Sequence, residues 1–515
     1  MKRQIKIIIL GISLAFIGGI YSAVAQNEKR PNIIFIVTDD QHRDQFNFIK
    51  EGLDAEGKPT NLSPNIDQLA AEGVIFDNSY VSSSVCTPSR YSIITGTYAS
   101  RGIGSSNMRK YEGQTNITWN VHVDSKTNNI AKALQQNGYF TGGVGKNHTI
   151  YGHNPHKVSL KADPTDAKIK KQMEENQMAQ VKAYKKVGFD YAGAIYRGNL
   201  PNQYPVAVED HNMEWVVDSA LNFLNLAAKK KEPFFLYFAT TLAHGPDRLG
   251  TKYKGNPLAT PVGFLEKPLE VMPSRESVTE RIAAAGLERE KADILWLDDG
   301  IGALLDKLKA INKLENTVIF FIDDHGVESG KGSLYEGGIK TVSFVYGPNY
   351  IKSGLRSKQL VSNIDMVPTA LELAGIDPKK EYDIDGVSML PLLKGSTHEI
   401  HKSLFFEMGA TRAIIKDGYK YLAFKAPVSI KKKLEKNGKK ATHICDKPGG
   451  RGSESPALKF YAKNYFDEDQ LYQLEKDPFE QSNLYLDESK KAKIKELKTE
   501  LKKYLKIVPG TFPID

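Results

Sequence analysis

Apolar positions in this 515-residue chain follow two recurring patterns. Continuous β-branched and aromatic runs occupy residues 33–37, 234–238 and 318–322. Runs without polar alternation predict parallel strands buried on both faces. Between them, residues 130–137, 213–228 and 292–311 read as helices. In the last, Ile294, Leu295, Leu297, Ile301, Leu304, Leu305 and Leu308 form one apolar stripe. Strands alternating with helices predict an α/β fold, a large mostly parallel or mixed sheet flanked by helices. From about residue 401 the pattern changes. Residues 411–415 and 420–424 flank Asp417-Gly418, which predicts a hairpin. An amphipathic helix follows at about 488–505. The division expected is a main domain over 26–400 and a smaller α+β subdomain over 401–515.

The first residues carry a different pattern. Lys2, Arg3 and Lys6 precede an apolar run over 7–20, and Ala23-Val24-Ala25 has the form of a cleavage site. This predicts a signal peptide over 1–25 and an exported protein, periplasmic or secreted. The run is short for a membrane span of ~20 apolar residues, so no stable membrane anchor is expected. The formal charge of +9 falls by three if Lys2, Arg3 and Lys6 are removed. No block of like charges is long enough to predict nucleic acid as a partner. Residues 431–440 and 448–453 read as surface loops. Export permits disulfides, and the two cysteines, Cys86 and Cys445, leave a single bridge open as the plain alternative for Cys86.

Candidate chemistry gathers at strand ends, where functional groups of such sheets collect. Asp39 and Asp40 follow the first strand; Asp323 and Asp324 follow the third. Carboxylates meeting there suit a hard divalent cation, although each pair alone is equally a turn or cap former. Pro88 pre-sets a first helical turn, placing Cys86 at a helix N-terminus, where a thiol is acidified and anions are favoured. Arg90, four residues on, lies on the same helix face.

Cys86-Thr87-Pro88-Ser89-Arg90 followed by Thr95-Gly96 resembles the signature of the type I, formylglycine-dependent sulfatases of the alkaline-phosphatase-like superfamily. Further segments resemble that family in order: residues 31–41, residues 64–70, Gly145-Lys146-Asn147-His148, Ala243-His244-Gly245-Pro246, Asp324-His325-Gly326, Lys331 with Tyr335-Glu336-Gly337-Gly338, and residues 471–478. The resemblance implies a sulfuric ester hydrolase whose cysteine, Cys86, is oxidised to formylglycine (3-oxoalanine) by a maturation enzyme. It further implies one calcium ion (Ca2+) held by Asp39, Asp40, residue 86, Asp324 and His325. The imidazole is an unusual ligand for so hard a cation, and His325 contacting the sulfate or formylglycine stays open. Arg90 would activate the hydrated aldehyde. Lys146 and Lys331 would neutralise sulfuryl oxygens, His244 would protonate the leaving alcohol, and His148 would take the proton when the sulfate is released. Lys340 stands where arginine is common in the family. Asn147-His148-Thr149 is a formal glycosylation sequon, taken as fortuitous because sugar there would block the site.

Residues 151–211 carry little family signal and are expected to shape the substrate pocket. His153, Arg197, His211 and Arg412 are candidate contacts to a sugar. The expected substrate is a sulfated carbohydrate. A phosphomonoester or phosphonate hydrolase is the nearest alternative, and a glycan-binding protein without activity a more distant one.

Overall fold

The computed structural model describes residues 30–102, 108–111, 114–118, 120–200, 202–246, 251–428, 431–432, 436, 459–461 and 463–514. A nine-stranded sheet runs through the main domain. Its strands are β1 (Asn32–Asp39), β2 (Val74–Tyr80), β3 (Phe140–Lys146), β4 (Tyr191–Tyr196), β5 (Phe234–Ala243), β6 (Thr317–Asp323), β7 (Lys340–Thr341), β8 (Ser343–Tyr346) and β9 (Leu355–Ser362). The order β6-β1-β5-β3-β4 is parallel throughout. Antiparallel β8, β2 and β7 extend one side, with β9 parallel to β2.

The apolar runs are buried on both faces. Ile34, Ile36, Leu236, Phe238, Ile319 and Phe321 face one core. Ile33, Phe35, Val37, Phe235, Tyr237, Val318 and Phe320 face the other. Period-two alternation thus feeds two layers of helices. The first core is covered by α1 (Pro64–Glu72), α5 (Met213–Ala228) and α6 (Ala292–Ala310). The second is covered by α2 (Cys86–Thr95), α3 (Ile130–Gln136), α4 (Ala167–Lys186) and α7 (Met366–Leu373). The long α4 falls within the stretch that carried little signal.

The C-terminal part contains an antiparallel sheet of β10 (Leu404–Met408), β11 (Thr411–Lys416), β12 (Tyr419–Phe424) and β13 (Asp469–Gln473). The hairpin turns at Asp417 and Gly418 with φ of 51° and 72°, the left-handed pair of a type I′ turn. One face packs on Tyr80, Leu334, Tyr335 and Ile339 of the main domain. The other is covered by Ile494, Leu497 and Leu501 of α8 (Lys491–Ile507). That helix begins after a 3-10 turn at Glu488–Lys490, so the expected 488–505 helix starts slightly later and runs slightly longer. The expected signal peptide, residues 448–453, Cys445 and most of 431–440 lie outside the described residues. Among the described residues no helix is long and apolar enough to cross a membrane.

The junction between the two parts carries a titratable lock. His401 Nε2 lies 2.8 Å from the buried Asp365 carboxylate. Burial pushes the imidazole pKa down, but the Asp365 charge and hydrogen bond outweigh burial and raise it. His401 therefore binds its proton more tightly in the folded chain. Its stabilisation is present in full below the unfolded value of about 6.5 and is lost as pH rises through the raised folded value. Thermal unfolding of the wild type and His401→Gln at pH 6 and pH 8.5 is expected to show the larger difference at pH 6. A larger difference at pH 8.5 would contradict this.

Candidate active site

Strands β1 and β6 pair in parallel, Thr38 opposite Asp323, so their acidic ends open at the same place. The two acids after β6 then part. Asp323 is turned back into the sheet, accepting from Thr38 Oγ1 at 2.7 Å and from Gln41 N at 3.3 Å. Asp324 points into the site, fully buried. Asp40 adopts φ 58°, the left-handed region that Asp tolerates better than most residues. That turn carries its carboxylate toward the loop holding Lys331.

Cys86 is the first residue of α2, all ten residues of which are buried. Val85, extended, precedes it without a side-chain cap. The N-terminal end of the helix, with its free N–H groups and partial positive charge, is thus beside the thiol. Cys86 is free rather than disulfide-bonded. Asn363 Nδ2 donates to Ser89 O and Ser89 Oγ, fixing the helix from the segment that precedes α7.

Two buried carboxylates, Asp39 and Asp324, and the half-buried Asp40 meet three cations here. Arg90 is wholly buried; its Nε donates to Asp324 Oδ2 at 2.8 Å and its Nη2 to Thr38 O at 3.0 Å. Lys146 Nζ reaches both oxygens of Asp39, at 2.6 and 2.5 Å. Lys331 Nζ reaches both oxygens of Asp40, at 2.7 and 2.5 Å. Gly145 makes the Lys146 contact geometrically possible. It has φ +87°, a Cβ there would stand 1.8 Å from Ala239 O, and the β3–β4 register shifts between Val144 and Lys146. Such an irregularity re-aims a side chain, here Lys146.

These charges set the ionisation of the site. Burial pushes Asp39 up to about 6 although Lys146 pulls it down, with Asp324 adding to the rise. Burial also opposes ionisation of Asp40, but His325, Lys331 and His244 hold it well below the carboxylate range. Asp324 is likewise lowered against burial, chiefly by Arg90. Burial would raise the Cys86 thiol, yet Lys146, Lys331 and His325 outweigh it and lower it to about 6.

The histidines surround this cluster. His325 Nε2 lies 3.3 Å from Cys86 Sγ, 3.1 Å from Asp40 Oδ1 and 3.5 Å from Asp324 Oδ1. Its Nδ1 faces Gly326 O at 3.0 Å, which directs Nε2 to the anions. His244 Nε2 lies 3.6 Å from Asp40 Oδ2. His148 is half-buried and its pKa is depressed well below the usual imidazole range by burial and by Lys146.

Donor atoms of Asp40, Cys86, Asp324 and His325 all lie within 4.8 Å of one another. Metal–ligand bonds of about 2.3–2.6 Å put two donors on one ion no more than about 5 Å apart, so the spacing of this set suits one divalent cation, with Asp40 and Asp324 as its oxygen donors. Among the described residues it is the one cluster of this kind. Asp39 stands beside it, held by Lys146.

All the expected catalytic side chains therefore come to one edge of the sheet. The weaker sugar contacts divide. His153 and Arg197 line a neighbouring cavity. His211 is 2% exposed and its Nδ1 lies 2.8 Å from Thr241 Oγ1. Arg412 is corrected: 3% exposed, it donates to the carbonyls of Gly409, Thr411 and Thr115 and holds backbone. Asn147 of the sequon is buried and donates to Ile150 O and Gln180 Oε1, so it has no room for a sugar. Sequence reading passed over Lys420, fully buried between Glu336 at 2.9 Å and Glu480 at 2.7 Å. It braces the segment that follows Lys331. Its position in an ordinary hairpin strand carried no signal.

A family model described as Sulfatase matches residues 31–376. Over 414 residues the chain is 26% identical to N-acetylgalactosamine-6-sulfatase of Rattus norvegicus, covering 74% of this chain and 69% of that protein. A protein solved with D-glucosamine-2-N,6-O-disulfate superposes with TM-score 0.58 at 21% identity, over 93% of this chain and 98% of that one. Phosphonate monoester hydrolase of Agrobacterium radiobacter superposes with TM-score 0.57 at 17% identity, over 93% and 96%. Such structural likeness establishes the alkaline-phosphatase-like architecture and leaves the chemistry to the site. With two thirds of the residues inside the family match and the signature cysteine at the head of a buried helix, the chain belongs to the sulfatase family, the sulfuric ester hydrolases.

Proposed function

We propose that this enzyme hydrolyses sulfate esters of a carbohydrate with a nucleophile made from Cys86, assisted by one calcium ion. The observation that carries this reading is the position of Cys86. It heads a buried helix, inside a four-donor cluster, with Lys146 and Lys331 acidifying it. Asp39, Asp40, Asp324, His325 and residue 86 would hold the ion, which would supply Lewis acidity toward a sulfuryl oxygen. Oxidised to formylglycine and hydrated, residue 86 would supply one hydroxyl to attack sulfur and a second through which the sulfate is expelled.

The chain's own groups account for the rest. Arg90, locked to Asp324 and Thr38 O, fixes positive charge beneath the nucleophile. Lys146 and Lys331 bring two ammonium groups to where sulfuryl oxygens gain charge, and buried preorganised charge is the most effective kind. His244, at the mouth beside Asp40, protonates the departing sugar oxygen. His148, neutral near pH 7 because burial and Lys146 depress its pKa, accepts the proton that accompanies sulfate release. The carbohydrate reading rests on relatives named for sulfated amino sugars and on a structural neighbour holding one. Export and a formylglycine-generating partner follow from the segments 1–25 and 86–96.

The decisive test is the mass of the peptide spanning Cys86 from protein made with the maturation enzyme. Sulfur lost and an aldehyde oxygen gained is expected, and Cys86→Ser should lower kcat by about a thousandfold or more. A fully active enzyme with an unmodified thiol would overturn the reading. For calcium, a concentration of about one hundred times Kd should stabilise the fold by about 2.7 kcal/mol. Unfolding after chelation, with and without added calcium, measures this directly; an unchanged midpoint rejects the ion. His244→Ala should cost ~10²–10⁴ in kcat on a sugar sulfate. It should cost far less on p-nitrophenyl sulfate, whose phenolate leaves without a proton. Equal losses on both esters would remove His244 from the role of acid.

A further inference from the structure

A cavity rich in basic side chains adjoins the candidate active site. Beyond the C-terminal ends of β3 and β4, residues 156–161, Arg197 and residues 202–205 line a cavity of about 730 Å³, within the ~300–1,000 Å³ range of ligand pockets. Its wall includes Lys157, Lys161, Arg197, His153 and His156 and contains no Asp or Glu. Glu175 pairs with His156 from outside that wall. Lys157, Lys161 and Arg197 are exposed. Among the described residues, none of the three side chains has a carboxylate within ion-pair distance. Three fixed positive charges in one concave wall, unbalanced by acids, focus a field that attracts anions.

The cavity and the active site share a partition. Arg197 O accepts from His148 N at 3.2 Å. Gly198 lies against the His148 ring, where a Cβ would stand 3.4 Å from Cδ2. Gln180, on the cavity wall, accepts from Asn147 Nδ2 at 3.2 Å, and Asn147 sits between Lys146 and His148. The Lys146–His148 segment thus faces the candidate active site through Lys146 and touches the cavity wall through Asn147 and His148.

We propose that this recess binds a second anionic group, sulfate or carboxylate, of the same saccharide chain, so that the enzyme prefers an oligosaccharide carrying several charges to a singly sulfated sugar. The inference rests on the sulfatase reading and extends it to substrate class. Lys157, Lys161 and Arg197 act at a distance from sulfur and determine specificity through binding.

The test compares wild type with the triple variant Lys157→Ala/Lys161→Ala/Arg197→Ala, each with residue 86 oxidised. Two kinds of substrate are used: p-nitrophenyl sulfate, and size-defined heparin and carrageenan oligosaccharides. The variant should leave kcat/KM for the aryl ester unchanged and raise KM for the preferred oligosaccharide about tenfold or more, with a weaker dependence on salt. Arg197→Lys, which keeps the charge, should recover most of the affinity if introduced with Lys157 and Lys161 intact. Failure of wild type to release sulfate from the aryl ester rejects the sulfatase reading itself. Aryl turnover with no oligosaccharide favoured over the aryl ester overturns the second site. So does an unchanged oligosaccharide KM in the variant, or an equal loss on both kinds of substrate.

Discussion

One electrostatic constraint governs the sheet edge: two buried carboxylates, Asp39 and Asp324, and the half-buried Asp40 meet there. Desolvated charge is expensive and is tolerated only when paired and hydrogen-bonded. Here each carboxylate has its own cation, Lys146, Lys331 and Arg90 respectively. Arg90 also lies 3.5 Å from Asp39, and His325 3.1 Å from Asp40, so the pairs share charge across the cluster. The same balance that holds the fold together at this edge acidifies Cys86, because its thiol lies in the field of the same cations.

Each cation needs a different structural device. Arg90 arrives on a helix buried along its whole length, so its position is as rigid as the core. Lys146 depends on a backbone irregularity that only Gly145 permits. Lys331 stands on a loop, and loops need support. Gly337 and Gly338 allow backbone approaches to Glu328, Gly330 and Ser333 that a Cβ would block. Tyr335 stacks on Tyr461 at 3.8 Å and donates to Gln470 Oε1. Lys420 then ties Glu336 to Glu480 in the interior. The C-terminal sheet therefore braces the loop that presents Lys331 to Asp40.

The sulfatase and phosphonate hydrolase likenesses, nearly equal in TM-score, show how little the sheet alone says about chemistry. Sulfate and phosphonate esters both need clustered positive charge around a tetrahedral centre. The activities are therefore read from individual side chains and not from the sheet.

Much of this was legible in the amino-acid order. Apolar runs at 33–37, 234–238 and 318–322 declared parallel strands because only a strand covered on both faces lacks polar alternation. Asp417-Gly418 declared its turn because the left-handed backbone pair favours those residues. The Cys86 to Gly96 motif carried its chemistry linearly, since Cys86 and Arg90 share one helix. Local sequence could not state how Asp323 and Asp324, adjacent and chemically identical, divide into one turned back into the sheet and one paired with Arg90. That follows from strand pairing, which brings Thr38 opposite Asp323 and leaves Asp324 to Arg90. Nor could it separate Arg412, spent on backbone carbonyls, from Arg197, free at a cavity wall. The sequence by itself determined the fold class and the residues of the reactive motif, because periodicity and short-range spacing are local properties. Only the tertiary structure decided which charges pair, which lysine braces a distant loop and which cations stay unpaired. Those outcomes depend on distances between segments as much as 300 residues apart, set by sheet order and packing.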